Sequence, residues 1–163
     1  MNWVDYWAGE TDEDCTTREQ LNDAREAHAK AVQQLLDDIK NTQRGNPKAA
    51  IAHCRRLIEL QAAWEDSEVT RQREDAERKR EYSLKAALSL KWDDFRPTHN
   101  AKLSDVVYKL TGLLMKEQAW AEVTTSVDWL RERYPAQFIG YVAKREQTLL
   151  ARREQATART GSA

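Results

Sequence analysis

Apolar residues along this chain recur every three or four positions, the period of an amphipathic helix. Leu21, Ala24, His28, Ala31, Val32, Leu35 and Ile39 fall on one face at ~100° per residue. Thr16 with Glu19 three residues later has the form of a capping box, so a first helix is expected over 17–43. Gly45 is a natural helix stop, Asn46 a cap, and Pro47 stands where its missing N–H costs nothing. The second helix starts there and directs Ile51, Cys54, Leu57, Ile58, Gln61 and Trp64 inward. The short Arg44–Asn46 connection predicts antiparallel packing of the pair. From Glu65 to Glu81 only Val69 and Ala76 are apolar, so this stretch is helical by propensity and polar all round. Apolar character resumes at Tyr82, Leu84, Ala87, Leu88 and Leu90, carrying the helix to Lys91.

The second half repeats the pattern in shorter pieces. Leu103, Val106, Val107, Leu110, Leu113 and Leu114 predict a helix over 101–116. Trp120, Val123, Val127, Leu130 and Tyr134 predict another over 118–134. A fifth is expected to begin at Pro135, with Phe138, Ile139, Val142, Leu149 and Leu150 on one side. Residues 92–100, with Pro97, form the best hinge between the halves. Asn2–Ala8 is expected to form a turn or two of helix that sets Trp3 beside Trp7, with Tyr6 next to them, and the acidic stretch up to Cys15 reads as a loop.

Only five Gly and three Pro occur in 163 residues, against the ~12% that average usage gives the pair. Few breakers mean few turns, and they leave no room for a Gly-rich phosphate loop. The expected fold is all-α: an elongated bundle of about five helices arranged as helical hairpins. Its parts are an acidic, aromatic arm (1–15), a long antiparallel hairpin (16–91), the hinge (92–100) and a three-helix unit with a basic last helix (101–163).

Tyr108-Lys-Leu-Thr-Gly-Leu-Leu-Met-Lys-Glu-Gln-Ala-Trp-Ala-Glu-Val, followed by Val127, Leu130 and Pro135, resembles a degenerate tetratricopeptide repeat. Tyr108 and Gly112 match that motif's first aromatic and its glycine. Val123, Val127, Leu130 and Pro135 match its second helix once one residue is deleted. The run from Gly45 to Ile51 looks like the turn and second helix of the same motif. The resemblance covers about 60 residues and implies neighbouring helical hairpins that serve as a protein–protein scaffold.

Charge changes this picture little. The chain has 26 basic and 27 acidic residues, a net charge of -1, and 33% charged residues, so the apolar core must be narrow and the helix faces solvated. The N-terminal 15 residues carry five carboxylates and no cationic side chain, whereas the stretch after Pro135 is basic. Lys144, Arg145, Arg152 and Arg153 on that last helix are the candidate phosphate contacts, should the chain bind nucleic acid. The cluster Arg71, Arg73, Arg78, Lys79 and Arg80 is cancelled by Glu74, Asp75 and Glu77.

Candidate chemistry is sparse. His28, His53, His99, Cys15 and Cys54 lack the close pairing that zinc ligands require. No nucleophile elbow, phosphate loop or metalloprotease motif occurs, so neither an enzyme nor a metal or other cofactor is expected. No run approaches ~18 apolar residues, so no membrane span is expected. The acidic N-terminus is wrong for a signal peptide, and two unpaired cysteines suit a reducing cytoplasm. Trp129 lies about 130° from the apolar stripe of its helix, given ~100° per residue. With Trp3, Tyr6 and Trp7, it is a candidate anchor for a protein partner or a second copy. The chain thus reads as a non-enzymatic helical interaction module, an adaptor, assembly factor or regulator. The alternative is a small oligomeric nucleic-acid-binding protein for DNA packaging or regulation.

Overall fold

The computed structural model describes residues 12–82, 97 and 100–161, with the side chains of 17–78, 97 and 100–161. It is all-α: α1 (Asp12–Thr42), α2 (Pro47–Tyr82), α3 (Ala101–Lys116), α4 (Trp120–Arg133) and α5 (Lys144–Thr160), with a 3₁₀ turn at Pro135–Phe138 between the last two. No strand occurs among the described residues. The chain divides into two units, residues up to Gln34 and residues from Leu35 onward. In the first unit Val32 is buried, Leu21, His28 and Ala31 are half-buried, and an exposed Glu26–Lys30 ion pair spans one turn at 2.7 Å.

α1 begins earlier than the capping box suggests, at Asp12. Thr16 is therefore inside the helix. Asp12, Glu13 and Asp14 occupy the first turn, where carboxylates favour the positive end of the helix dipole. The acidic stretch 12–15, expected as a loop, is thus part of the helix. α2 begins as expected at Pro47, and Asn46 Oδ1 accepts the Ala49 N–H at 3.1 Å. Residues 83–91 lie outside the described residues, as does most of the 92–100 hinge.

In the second unit α2 packs on α3, α3 on α4 and α5, and α4 on α5. Leu103, Val107, Val127, Leu130, Tyr134 and Leu149 form the central cluster, and Ile58, Tyr108, Trp129 and Phe138 pack against it. Each fully buried aliphatic side chain here stabilises the fold by ~1.5–3 kcal/mol. Asn100 caps α3, its Oδ1 accepting the Lys102 N–H at 2.9 Å. α3 closes in a Schellman arrangement: Ala119 N–H donates to Leu114 O (2.9 Å) and Gln118 N–H to Met115 O (3.2 Å). That motif needs a left-handed residue, and Gln118 supplies it at φ 58°.

The expected fifth helix from Pro135 is replaced by a shorter one. Pro135 starts only the 3₁₀ turn, Ile139 is extended at φ -122° and ψ 138°, and Gly140 turns left-handed at φ +75°. The run Phe138-Ile-Gly-Tyr-Val consists of strand formers around a glycine, and helix propensity is lowest there. α5 starts only at Lys144. Phe138, Ile139 and Val142 therefore do not share a helix face with Leu149 and Leu150.

These local devices separate in urea denaturation. Leu130→Ala is expected to lower the unfolding free energy by ~2–5 kcal/mol and Asn100→Ala by ~1 kcal/mol. Gln118→Gly should raise it by up to ~1 kcal/mol, because glycine carries no left-handed penalty.

Candidate functional site

The second unit is tied across its helices by arginines. Where the apolar stripe of α2 ends, Glu65 is buried and receives donors from the far end of α4. Arg133 Nε donates to Glu65 Oε2 at 2.9 Å, and the Tyr134 hydroxyl donates to the same oxygen at 2.6 Å. Arg133 Nη2 also donates to the Ala62 carbonyl at 3.1 Å and to Asp66 Oδ1 at 2.8 Å. Burial pushes the Tyr134 phenol pKa upward, and the negative Glu65 adds to the rise. Burial works against the Arg133 guanidinium, yet its bonds to Asp66 and Glu65 hold its pKa above the ordinary value. One helical turn thus joins α2 to α4 through a satisfied polar network.

The basic α5 turns most of its cations inward. Arg145 bonds Asp105 of α3 at 2.6 Å and Glu146 Oε1 at 2.8 Å. Arg152 donates to the Tyr108 carbonyl at 2.5 Å and to the Thr111 hydroxyl at 2.9 Å, and it lies 4.1 Å from the centroid of the Tyr108 ring. Arg153 grips both oxygens of Asp128 on α4, at 2.6 and 3.1 Å. Of the four candidate phosphate contacts, only Lys144 has no acceptor among the described residues. Glu146 is buried, and its Oε2 has no hydrogen-bond partner.

Trp129 is half-buried. It packs against the central cluster, and Arg133 lies over its ring at 5.7 Å. It faces α2 across a cleft of about 300 Å³ whose floor includes Ile58, Val107 and Leu110. Arg55 of α2 grips both carboxylate oxygens of Glu122 on α4 beside this cleft, each at 2.7 Å. The apparent misplacement of Trp129 follows from its side of α4 being turned toward α2, to which Arg55–Glu122 and Arg133–Glu65 tie it across the cleft. Trp3, Tyr6 and Trp7 lie outside the described residues.

The exposed apolar surface is elsewhere. Among the described residues, Ile139 and Tyr141 are the large hydrophobic side chains left in solvent, at 73% and 97% exposure. Both belong to the stretch between the 3₁₀ turn and α5. Gly140 allows its left-handed turn at φ +75°, and the Gln147 side-chain amide donates to the Val142 carbonyl at 2.8 Å. Beside it is a hollow of about 420 Å³ lined by Asp128, Arg131, Glu132, Pro135, Phe138, Ile139 and Arg153. The sequence signal for this surface was the strand-forming run around Gly140, which helical periodicity conceals.

Other chemistry is muted. Cys54 is fully buried, and burial raises its thiol from the ordinary 9.0 to about 11, with Lys109 pulling slightly the other way. Such a thiol packs rather than reacts at neutral pH. No cluster of three or more His, Cys, Asp or Glu suited to a metal occurs among the described residues. None of the described helices is long and apolar enough to cross a membrane.

Comparison with family models, curated proteins and solved structures finds no match to this chain.

Two measurements probe the site. Glu65→Ala should cost ~3–5 kcal/mol, because it leaves Arg133 buried with a broken pair. Tyr134→Phe should cost ~1.5–3 kcal/mol, the value of a hydrogen bond to a charged group. Alkaline pH tests Cys54. Its folded pKa exceeds the unfolded one, so the unfolded chain loses the proton first, and stability should fall as pH rises from about 9 to about 11. Cys54→Ala should flatten the slope between about pH 9 and 10, before Tyr134 begins to contribute in the same direction.

Proposed function

We propose that this chain is a non-enzymatic helical protein–protein interaction module, of the adaptor, assembly-factor or regulator kind. The observation that carries the reading is the Ile139–Tyr141 loop. Two large apolar side chains stand in solvent on a segment that follows the Pro135–Phe138 turn and whose Val142 carbonyl is bonded by Gln147. Exposed apolar groups on a supported surface are the usual mark of a protein contact site. A tyrosine adds contact area at little entropic cost, having few rotatable bonds. The proposed contact residues are therefore Ile139 and Tyr141, and Trp129, half-buried beside the cleft toward α2, remains a separate proposed contact. Trp3, Tyr6 and Trp7 remain proposed contacts of the N-terminal arm. The hairpin-scaffold resemblance around Tyr108 and Gly112 points the same way, and a cytoplasmic setting belongs to the same proposal.

Catalysis finds little support. Glu65, Asp66, Asp105, Glu122 and Asp128 are each engaged by an arginine and act as ties between side chains. The nucleic-acid alternative is weakened because Arg145, Arg152 and Arg153 already have internal acceptors. Phosphate binding would have to break those bonds.

A photo-crosslinking residue placed at position 141 tests the reading in cells. Discrete protein adducts are expected there and none from the same residue at exposed position Gln155. Ile139→Ser with Tyr141→Ser should change stability by less than ~0.5 kcal/mol and abolish adducts formed from a crosslinker at neighbouring Val142. Equal labelling at 141 and 155, or no adduct at 141, would sink the proposal. A shift of duplex DNA at low salt that disappears in Arg152→Glu, Arg153→Glu would revive the alternative.

A further inference from the structure

We infer that the Ile139–Tyr141 face is a two-fold contact between copies of this chain, with Tyr141 of each copy seated in the hollow of the other. The inference rests on the interaction-module reading and specifies its partner. A two-fold contact uses the same patch on both molecules, so the patch must fit itself. This one carries a knob and a hole side by side. The knob is Tyr141, 97% exposed. The hole is the hollow of about 420 Å³ that begins at the next large side chain, Ile139, and is walled by Pro135 and Phe138. A cavity of ~150 Å³ already holds a benzene ring, so a phenol ring fits with room for its hydroxyl to reach the polar rim.

Charge favours the same occupant. The rim has two carboxylates, Asp128 and Glu132, and two guanidiniums, Arg131 and Arg153. A strongly acidic or strongly basic partner would meet as much repulsion as attraction. A second copy would not, because a balanced rim rotated by 180° can set unlike charges opposite each other. Asp128 is held by Arg153 at 2.6 Å and lies only 3.7 Å from Arg131. Arg131 is 45% exposed, and Glu132, also exposed, has no partner among the described residues. Arg131 of one copy and Glu132 of the other are the pair left to form across the axis. The Gln147 bond to the Val142 carbonyl orders the end of the loop and so reduces the ordering cost of binding. The contact is small beside the ~800 Å² per partner of standard interfaces, so the dimer should be weak and exchange with monomer.

Sedimentation velocity on the full chain, from about 1 µM to about 1 mM, tests this. The wild type should pass from monomer to dimer across that range. Tyr141→Ser should stay monomeric with unchanged thermal stability, Tyr141→Phe should keep most of the association, and Arg131→Glu should weaken it at least several-fold. Arg131→Glu combined with Glu132→Arg should restore part of the loss. A wild type monomeric throughout overturns the inference, and so does a dimer untouched by Tyr141→Ser. Adducts at position 141 separate the two levels. Adducts only to other proteins reject the second copy and keep the module. Absence of both dimer and adducts rejects both.

Discussion

The second unit depends on a single buried carboxylate. α2 is apolar on one face only as far as Trp64, and a helix without an apolar face has little reason to remain against its neighbours. Glu65 is the next residue. It receives the Arg133 guanidinium and the Tyr134 hydroxyl just as α4 gives way to the 3₁₀ turn. Desolvating a carboxylate and a guanidinium is costly, and their attraction repays it only with good geometry and full hydrogen bonding. Here the guanidinium also satisfies the Ala62 carbonyl and Asp66. Such a set has one arrangement. It fixes both the rotation and the longitudinal position of α2 against α4, and hence the meeting of Ile58, Val107 and Trp129 across the cleft.

The same economy governs α5. Its arginines reach α3 and α4 and close on Asp105, Thr111 and Asp128. Counted along the sequence, they make a basic helix. Placed in space, they are the polar side of an interhelical seam whose apolar side is Leu149 and Ala156. A guanidinium suits this work because it donates in several directions at once and has a planar face for an aromatic ring, which is how Arg152 meets both Thr111 and Tyr108. What the hollow beside the 138–142 loop then presents is a rim of two carboxylates and two guanidiniums.

The helices were legible because their signals are local. Stripes such as Leu103–Val107–Leu110–Leu114 and caps such as Asn46 need no knowledge of neighbours. The ties were not legible, because Glu65 beside Asp66 looks like any solvated acidic pair until Arg133, 68 residues away, is folded onto it. Trp129 looks misplaced in the sequence because one apolar stripe per helix leaves no place for a side chain turned toward α2. The start of α1 was misjudged because Asp12–Asp14 resemble a polar loop and a helix's first turn equally. The loop at 138–142 is hidden because its apolar residues fit a helical period, while the strand preference of Ile, Tyr and Val around Gly140 decides the local structure.

That loop is also where local preference and global fold disagree most. Two large apolar side chains left in water stabilise nothing within the chain, and α5 could lengthen toward Pro135 if helix formers replaced residues 138–142. The chain turns left-handed at Gly140, Gln147 bonds the Val142 carbonyl, and Tyr141 stands in solvent. The levels of this sequence agree nearly everywhere and conflict at this solvent-facing place, and that conflict is why the proposed contact is sited there. The stability forgone at 138–142 is small because the arginine ties and the Leu130–Leu149 core lie elsewhere. The unit can therefore keep Ile139 and Tyr141 in water and remain folded.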